Sequence, residues 1–305
     1  MAQTSLPPHA NGVHLTLDEL LYYRSQSVRW LPPQRSIWRQ MAGNQTSKSP
    51  GRGMDFHEVR QYQVGDDIRT IDWRVTARTG KAHTKVFTED REKPLLIYLD
   101  LQPTLFWGSN YVFKSVQLAH FTSVLSWLTL ANRDRVGAVI HSPSQTLQLP
   151  PSSRQARVLS LLEQMCALHN QHVTAAFQSE QAFHPRPWQT IDRLAPHGAD
   201  IVLLGDWSHW GKDDENGLHL LAHRHSLKMV QIADPMEQGQ SRFRGQFWAK
   251  KGRRQQRINF GQRKQRQSFE HNFIHHQQRI KDLCQQREIA FLCLSSGQPL
   301  LAQLT

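Results

Sequence analysis

Between Arg60 and Arg78 the chain crowds opposite charges together. Arg60, Asp66, Asp67, Arg69, Asp72, Arg74 and Arg78 surround the aromatics Tyr62 and Trp73. Such a cluster can form a recognition surface or bind phosphate. It can equally lock an irregular segment, with Asp66, Asp67 and Asp72 paired to Arg60, Arg69 and Arg78. The second is the simpler expectation, with Trp73 as a core or platform aromatic; Asp72→Ala would then strand an arginine. Another place for chemistry is Pro94–Asp100, apolar until its final carboxylate. A run of that kind reads as a buried strand, and open α/β sheets bind ligands just beyond strand carboxyl ends.

A third place is basic. Residues 241–287 hold thirteen Lys/Arg against two acids, an excess of +11 that is almost the whole net charge of +12. Phe243, Phe247, Trp248, Phe260 and Phe269 interleave with these cations, as in nucleic-acid platforms. A β-hairpin with a solvated tip at Lys250–Arg254 fits the same residues, as does a contact for an acidic protein or lipid surface. Histidines are abundant: His219, His223 and His225, and His271, His275 and His276, recur at helical spacing. No H-E-x-x-H, G-x-S-x-G, Walker loop or dinucleotide glycine fingerprint occurs, which disfavours zinc hydrolysis, nucleophilic catalysis and nucleotide hydrolysis.

The elements that must position these residues follow from the hydrophobic pattern. Residues 1–14 read as a disordered leader and 15–31 as a helix with Leu17, Leu20, Leu21 and Val28 near one side. Asp18 and Glu19 suit its first turn. Residues 34–49 read as a loop, and period-2 patches at 55–62 and 83–87 as strands. From Pro94 onward strands (94–99, 135–141, 200–204, 227–233, 289–294) alternate with helices (113–132, 153–168, 188–194, 217–225, 268–287). Ser152 or Ser153 is the expected cap of the second helix, and Thr146–Leu149 a hairpin partner of 135–141. Alternation of this kind predicts a mainly parallel, doubly wound sheet behind a β-rich lead-in at 15–93. The basic stretch inserts at about 241–267.

At 305 residues, 38% hydrophobic with nine tryptophans, the chain can bury a full core. No run of eighteen apolar residues occurs, and the first residues carry no signal-peptide pattern. Cys166, Cys284 and Cys293 are odd in number without C-x-x-C spacing, which fits reduced thiols and a cytoplasmic location.

The stretch Gly53, Asp55, Phe56, Arg60, Tyr62, Gly65, Asp66, Asp67, Arg69, Ile71, Asp72, Trp73, Thr76, Ala77, Arg78 closely resembles the motif of the domain of unknown function 58 family. Asp134–Gly137, Ile201–Asp206 and Asp234–Glu237 match as well, so the resemblance runs from about Leu17 to the end. It implies a von Willebrand factor A-like fold and a genetic association with MoxR-type AAA+ ATPases. It also implies a candidate metal site, because the first strand of such domains ends in D-x-S-x-S and is joined by a Thr and an Asp from later loops. Here the first strand ends Asp100-Leu-Gln102-Pro-Thr104, and Asp206 suits the second carboxylate; Thr174 is a weak candidate for the loop Thr. This oxygen set suits a hard cation such as Mg²⁺, held weakly and dependent on Asp100. The simpler alternative is that Asp100 and Asp206 only accept loop amide hydrogen bonds.

A von Willebrand A-like sheet presents loops 101–111, 166–187 and 207–216 at its carboxyl edge. They carry Phe106, Trp107, Trp207 and Trp210, the composition of a partner rim, with Lys250 and Lys251 adding electrostatic steering. The expectation is a non-enzymatic interaction module, an adaptor or co-factor of a MoxR-type ATPase that remodels client complexes. Nucleic-acid binding through 241–287 and divalent-metal-dependent hydrolysis are the alternatives.

Overall fold

The computed structural model describes residues 5–29, 54–63, 65–89, 94–176, 184–241, 243–251 and 254–304. The expected loop 34–49 and the glycines at 51 and 53 lie outside them. Two compact units divide the chain: residues 44–92, and residues 1–43 with 93–305.

The smaller unit is an antiparallel pair, β1 (Met54–Gln61) and β2 (His83–Glu89), with a bulge between Phe56 and Glu58. A 3-10 turn at Ile68–Thr70 and a short helix, α1 (Trp73–Thr79), fill the connection. The motif residues write this geometry locally. Asp66 takes a fork from Arg60 at 2.7 and 2.8 Å and the Gln63 N–H at 2.9 Å. Asp67 caps the 3-10 turn through the Arg69 N–H, and Asp72 caps α1 through the N–H groups of Arg74 and Val75. Gly80, with φ at 71°, supplies the left-handed residue that ends the helix.

Two expectations change here. Asp72 sits 3.6 Å from Lys85 instead of pairing with an arginine, and Arg69 and Arg78 are exposed. Trp73 is 68% exposed, so it is no core residue. An aspartate before a helix satisfies two backbone donors at once, which outcompetes a distant guanidinium. Asp72→Ala is therefore expected to strand no arginine. It should lower hydrogen-exchange protection of the Arg74 and Val75 amides severalfold, leaving the Arg60–Asp66 fork intact; unchanged protection there would remove the capping role.

The larger unit is a mixed α/β body around a six-stranded, mostly parallel sheet. Its strands are β3 (Leu95–Asp100), β4 (Val136–His141), β5 (Thr146–Ser152), β6 (Asp200–Gly205), β7 (Ser226–Ala233) and β10 (Ala290–Ser295), in the order β10-β7-β6-β3-β4-β5. Only β5 runs antiparallel, returning from β4 as the expected hairpin. Between β7 and β10 lie β8 (Gln246–Lys251) and β9 (Arg254–Asn259), a separate antiparallel hairpin. Alternation along β3 shows why the sheet reads as continuous apolar runs. Leu95, Ile97 and Leu99 enter one core, while Leu96 and Tyr98 enter another.

The first core is built with α2 (Leu17–Arg29), α3 (Lys114–Ala131), α4 (Gln155–Ala176) and α8 (Leu300–Gln303). The second uses α5 (Trp188–Leu194), α6 (Lys212–Ala222) and α7 (Arg263–Gln286). In α3 the hydroxyls of Thr122, Ser126 and Thr129 return to carbonyls four residues earlier, which lets a polar-spotted helix be buried. Among the described residues no helix is long and apolar enough to cross a membrane.

The N-terminal segment departs from expectation. Residues 5–14 are pinned rather than a disordered leader: the Gly12 carbonyl accepts from Phe113 N–H, the Val13 carbonyl from His169, and Ser5 from the Tyr111 hydroxyl. These bonds join backbone to distant partners and leave no periodic trace in sequence. The helix after it packs on α3 of the larger unit, so it does not belong with the β-rich segment.

Candidate functional site

Parallel strands end on one side, so their terminal carboxylates gather at the same edge. Asp100 closes β3, Asp206 follows β6 and Asp234 follows β7; all three are buried. Each is met by a partner from elsewhere in the chain. Arg186 is held in an extended Pro-Arg-Pro segment leading into α5. Its Nε donates to Asp100 at 2.8 Å, while Nη1 donates to Asp214 at 2.9 Å and to the His209 carbonyl at 2.7 Å. The other Asp100 oxygen takes the Tyr98 hydroxyl at 2.9 Å. Burial opposes the charge on Arg186, but Asp100, Tyr98 and Asp214 together outweigh it and the guanidinium is held above its ordinary value.

The second carboxylate is met by Lys114 at the first turn of α3. Its ammonium, 1% exposed, lies 3.1 Å from Asp206 and 2.9 Å from Glu237, beneath the Trp107 ring at 5.0 Å. Burial pushes Asp206 up, yet the ammonium, the Thr104 hydroxyl and the Ser208 N–H bring it down to about 2. Glu237 moves the other way, pushed up by burial more than Lys114 lowers it. Both carboxylates hold the ammonium, Glu237 at the shorter distance. Asp234 accepts from Ser109, Ser296 and the Met236 N–H, tying three loops together.

Of the four expected ligand residues, Gln102 is tied to the segment before α5. Its amide is paired at both ends with the His184 backbone, at 3.2 and 3.3 Å. Thr104 lies against Asp206. Thr174 bonds back to the Asn170 carbonyl within α4, since that helix extends to Ala176 where a rim loop was expected. Among the described residues no group of three or more His, Cys, Asp or Glu could hold a metal ion.

The rim is corrected as well. Trp207 is 0% exposed; its indole donates to the Val230 carbonyl, and it adopts a left-handed φ of 58° that few bulky residues accept. His276 of α7 meets the Trp207 carbonyl at 2.5 Å. Trp210 stacks edge-on against Trp207 and Trp188, and Arg186 lies over both Trp207 and Trp210. Trp107 and Trp210 are half-buried, and Phe106 is buried against His169 and His172. An indole can shield a buried cation, and that use wins over display.

Aromatic display occurs instead on the hairpin. Phe247 and Phe260 pack at 5.3 Å, and Phe260 meets Phe269 of α7 at 5.5 Å, which anchors one face. On the opposite face Trp248 is 67% exposed and stands across from Arg257 in the strand register. The side chains of Lys250 and Lys251 lie outside those described.

Among the described residues the three thiols are not activated. Burial pushes Cys166 and Cys284 up to about 12 and Cys293 up to about 11, far from a reactive thiolate. The Ser144 hydroxyl meets His172 at 3.1 Å, but burial holds that imidazole down, and the pair lies outside the carboxylate cluster. Sequence reasoning missed Lys114, Arg186, Asp214 and Glu237 as site members. Two signals were present: a lone lysine at the start of an apolar helix, where the dipole disfavours it, and an arginine fixed between prolines.

The fold and edge define a mixed α/β protein in which two strand-end carboxylates, Asp100 and Asp206, are met by cations of the same chain. The family model described as "Protein of unknown function DUF58" matches residues 58–279, and the chain belongs to that family. An uncharacterized protein of Mycobacterium bovis and two of Mycobacterium tuberculosis strains are each 27% identical to it over 198 residues. The match covers 64% of this chain and 60% of each relative's length.

Proposed function

We propose that this protein is a non-catalytic recognition module with a von Willebrand A-like architecture, serving a MoxR-type AAA+ ATPase as adaptor in the cytoplasm. The β8–β9 hairpin is its contact surface for an acidic face of that partner. The observation that carries the reading is Trp248, exposed opposite Arg257 on a hairpin whose other face is anchored by Phe247 and Phe260. A large aromatic displayed in a segment with an excess of +11 has the composition of an interface anchor set in a steering field. The ATPase itself comes from the family resemblance. The strand order, with helices on both faces, supports the architecture.

The same aromatic–cation pair favours one other ligand, a single-stranded nucleic acid. Trp248→Ala and Arg257→Glu test both. Each variant should fold normally, because both side chains are exposed. Co-purification with the ATPase should fall about tenfold or more for Trp248→Ala. Undiminished co-purification with both variants would sink the adaptor surface. Oligonucleotide binding that weakens steeply with salt and vanishes in the same variants would install the nucleic-acid reading instead.

A further inference from the structure

We infer that the carboxyl edge carries its own cation where the family resemblance implies a divalent ion: the Lys114 ammonium, clamped between Asp206 and Glu237, stands in for the metal. Of the residues that would bind Mg²⁺, Asp100, Gln102 and Asp206 already have their oxygens engaged, and only the buried Thr104 hydroxyl has no hydrogen-bond partner. Asp206 uses Oδ2 on Lys114 and Oδ1 on the Ser208 N–H and hydroxyl. Asp100 uses Oδ2 on Arg186 and Oδ1 on the Tyr98 hydroxyl. Gln102 spends its amide carbonyl on the His184 N–H. Mg²⁺ demands six oxygens near 2.0–2.1 Å in an octahedron. An ammonium 2.9–3.1 Å from two carboxylates fills that ground with a single charge and N–H donors.

A second observation is independent of the ligand count. Lys114 opens an eighteen-residue helix that has no other Lys, Arg, Asp or Glu, at the end where the dipole repels a cation. Only the two carboxylates from β6 and the loop after β7 make that position favourable. The ammonium is also sealed, 1% exposed beneath Trp107, so it neutralises the edge permanently and offers no coordination site to a partner's carboxylate. Recognition through this edge is therefore independent of divalent ions.

Manganese is the probe, read by the loss of the free-ion paramagnetic resonance signal and by thermal melts. Wild type should leave the signal of Mn²⁺ unchanged, and its melt should be the same with Mg²⁺, Mn²⁺ or chelator. Lys114→Ala leaves Asp206 and Glu237 facing a lysine-sized space without their cation. That variant should melt lower, take up one Mn²⁺ per chain, and recover part of the lost melting temperature when it does. The added substitution Asp206→Asn should abolish the uptake. A wild-type chain that binds one Mn²⁺, lost in Asp206→Asn, overturns the inference; so does a folded Lys114→Ala chain that takes up none. The wild-type titration decides the matter even if Lys114→Ala fails to fold.

Discussion

Arg186→Met is expected to destabilise the larger unit by about 3–5 kcal/mol, the range for removing one partner of a buried charge pair. The side chain is fully enclosed, and its two nitrogens satisfy two carboxylates from different elements. Without it Asp100 keeps only the Tyr98 hydroxyl. Asp214 keeps the Gly211 N–H and the Trp188 indole. Methionine retains bulk beneath Trp207 and Trp210, so lost packing contributes little and stranded charge most. Against a total stability of roughly 5–15 kcal/mol the loss is severe. Arg186→Lys should recover only part, because one ammonium cannot fork to both carboxylates. Adding Asp100→Asn to Arg186→Met should also recover part, by removing a stranded charge. Urea unfolding at neutral pH, followed by tryptophan fluorescence, measures all three. A loss below about 1 kcal/mol would place Arg186 with exposed ion pairs and contradict its burial.

The same residue shows what sequence can and cannot say. Asp100 and Asp206 were legible, since each ends an apolar run and such runs end at one sheet edge. Their cations were not. Arg186 is 86 positions from Asp100 and Lys114 is 92 from Asp206, and no local pattern records pairings at that separation. Helix existence was legible where apolar spacing was regular, as in α5, whose limits agree at Trp188–Leu194. Limits failed where polar residues serve tertiary contacts. Helix α4 continues to Ala176 because His169 and Asn170, which resemble a helix end, bond the N-terminal segment. Helix α6 begins at Lys212 rather than Gly217 because its acidic first turn suits the dipole. Gly217 is tolerated inside it since any Cβ there would come within 2.1 Å of the Trp188 ring.

The tryptophans make the complementary point. The family resemblance, which implies loops at the sheet's carboxyl edge, and the composition of those loops assigned Trp107, Trp207 and Trp210 to a partner rim, because large aromatics in polar loops are common anchors of interfaces. A buried cation competes for the same side chains, and at this edge there are two, Lys114 and Arg186. Once the indoles cover them, the tryptophan of the larger unit exposed among the described residues is Trp248, on a hairpin whose alternation places it opposite the anchored face.

Glu19→Leu is expected to destabilise the larger unit by about 3–5 kcal/mol, although Glu19 sits in the first turn of a helix where a surface acid would contribute far less. Its carboxylate meets the His120 ring of α3 at 2.6 Å, and neither side chain has any exposure. The second Glu19 oxygen and His120 Nδ1 find no hydrogen-bond partner, so the pair is a closed contact with no reserve. His120 also stacks on Tyr23 at 4.9 Å, and nearby the Ser123 hydroxyl bonds the Leu20 carbonyl at 2.7 Å. Removing the acid strands the imidazole in an apolar seam between α2 and α3. His120→Phe alone should cost a similar amount, because it strands the carboxylate. The double variant Glu19→Leu/His120→Phe strands nothing and keeps a ring against Tyr23. It should return to within about 1 kcal/mol of wild type, or exceed it, as replacing both partners of a buried hydrogen bond by apolar groups does. The interaction energy from this cycle should be at least as large as either single loss. Single losses that simply add in the double variant would show that the two side chains act independently, and the seam would then owe its stability to packing alone.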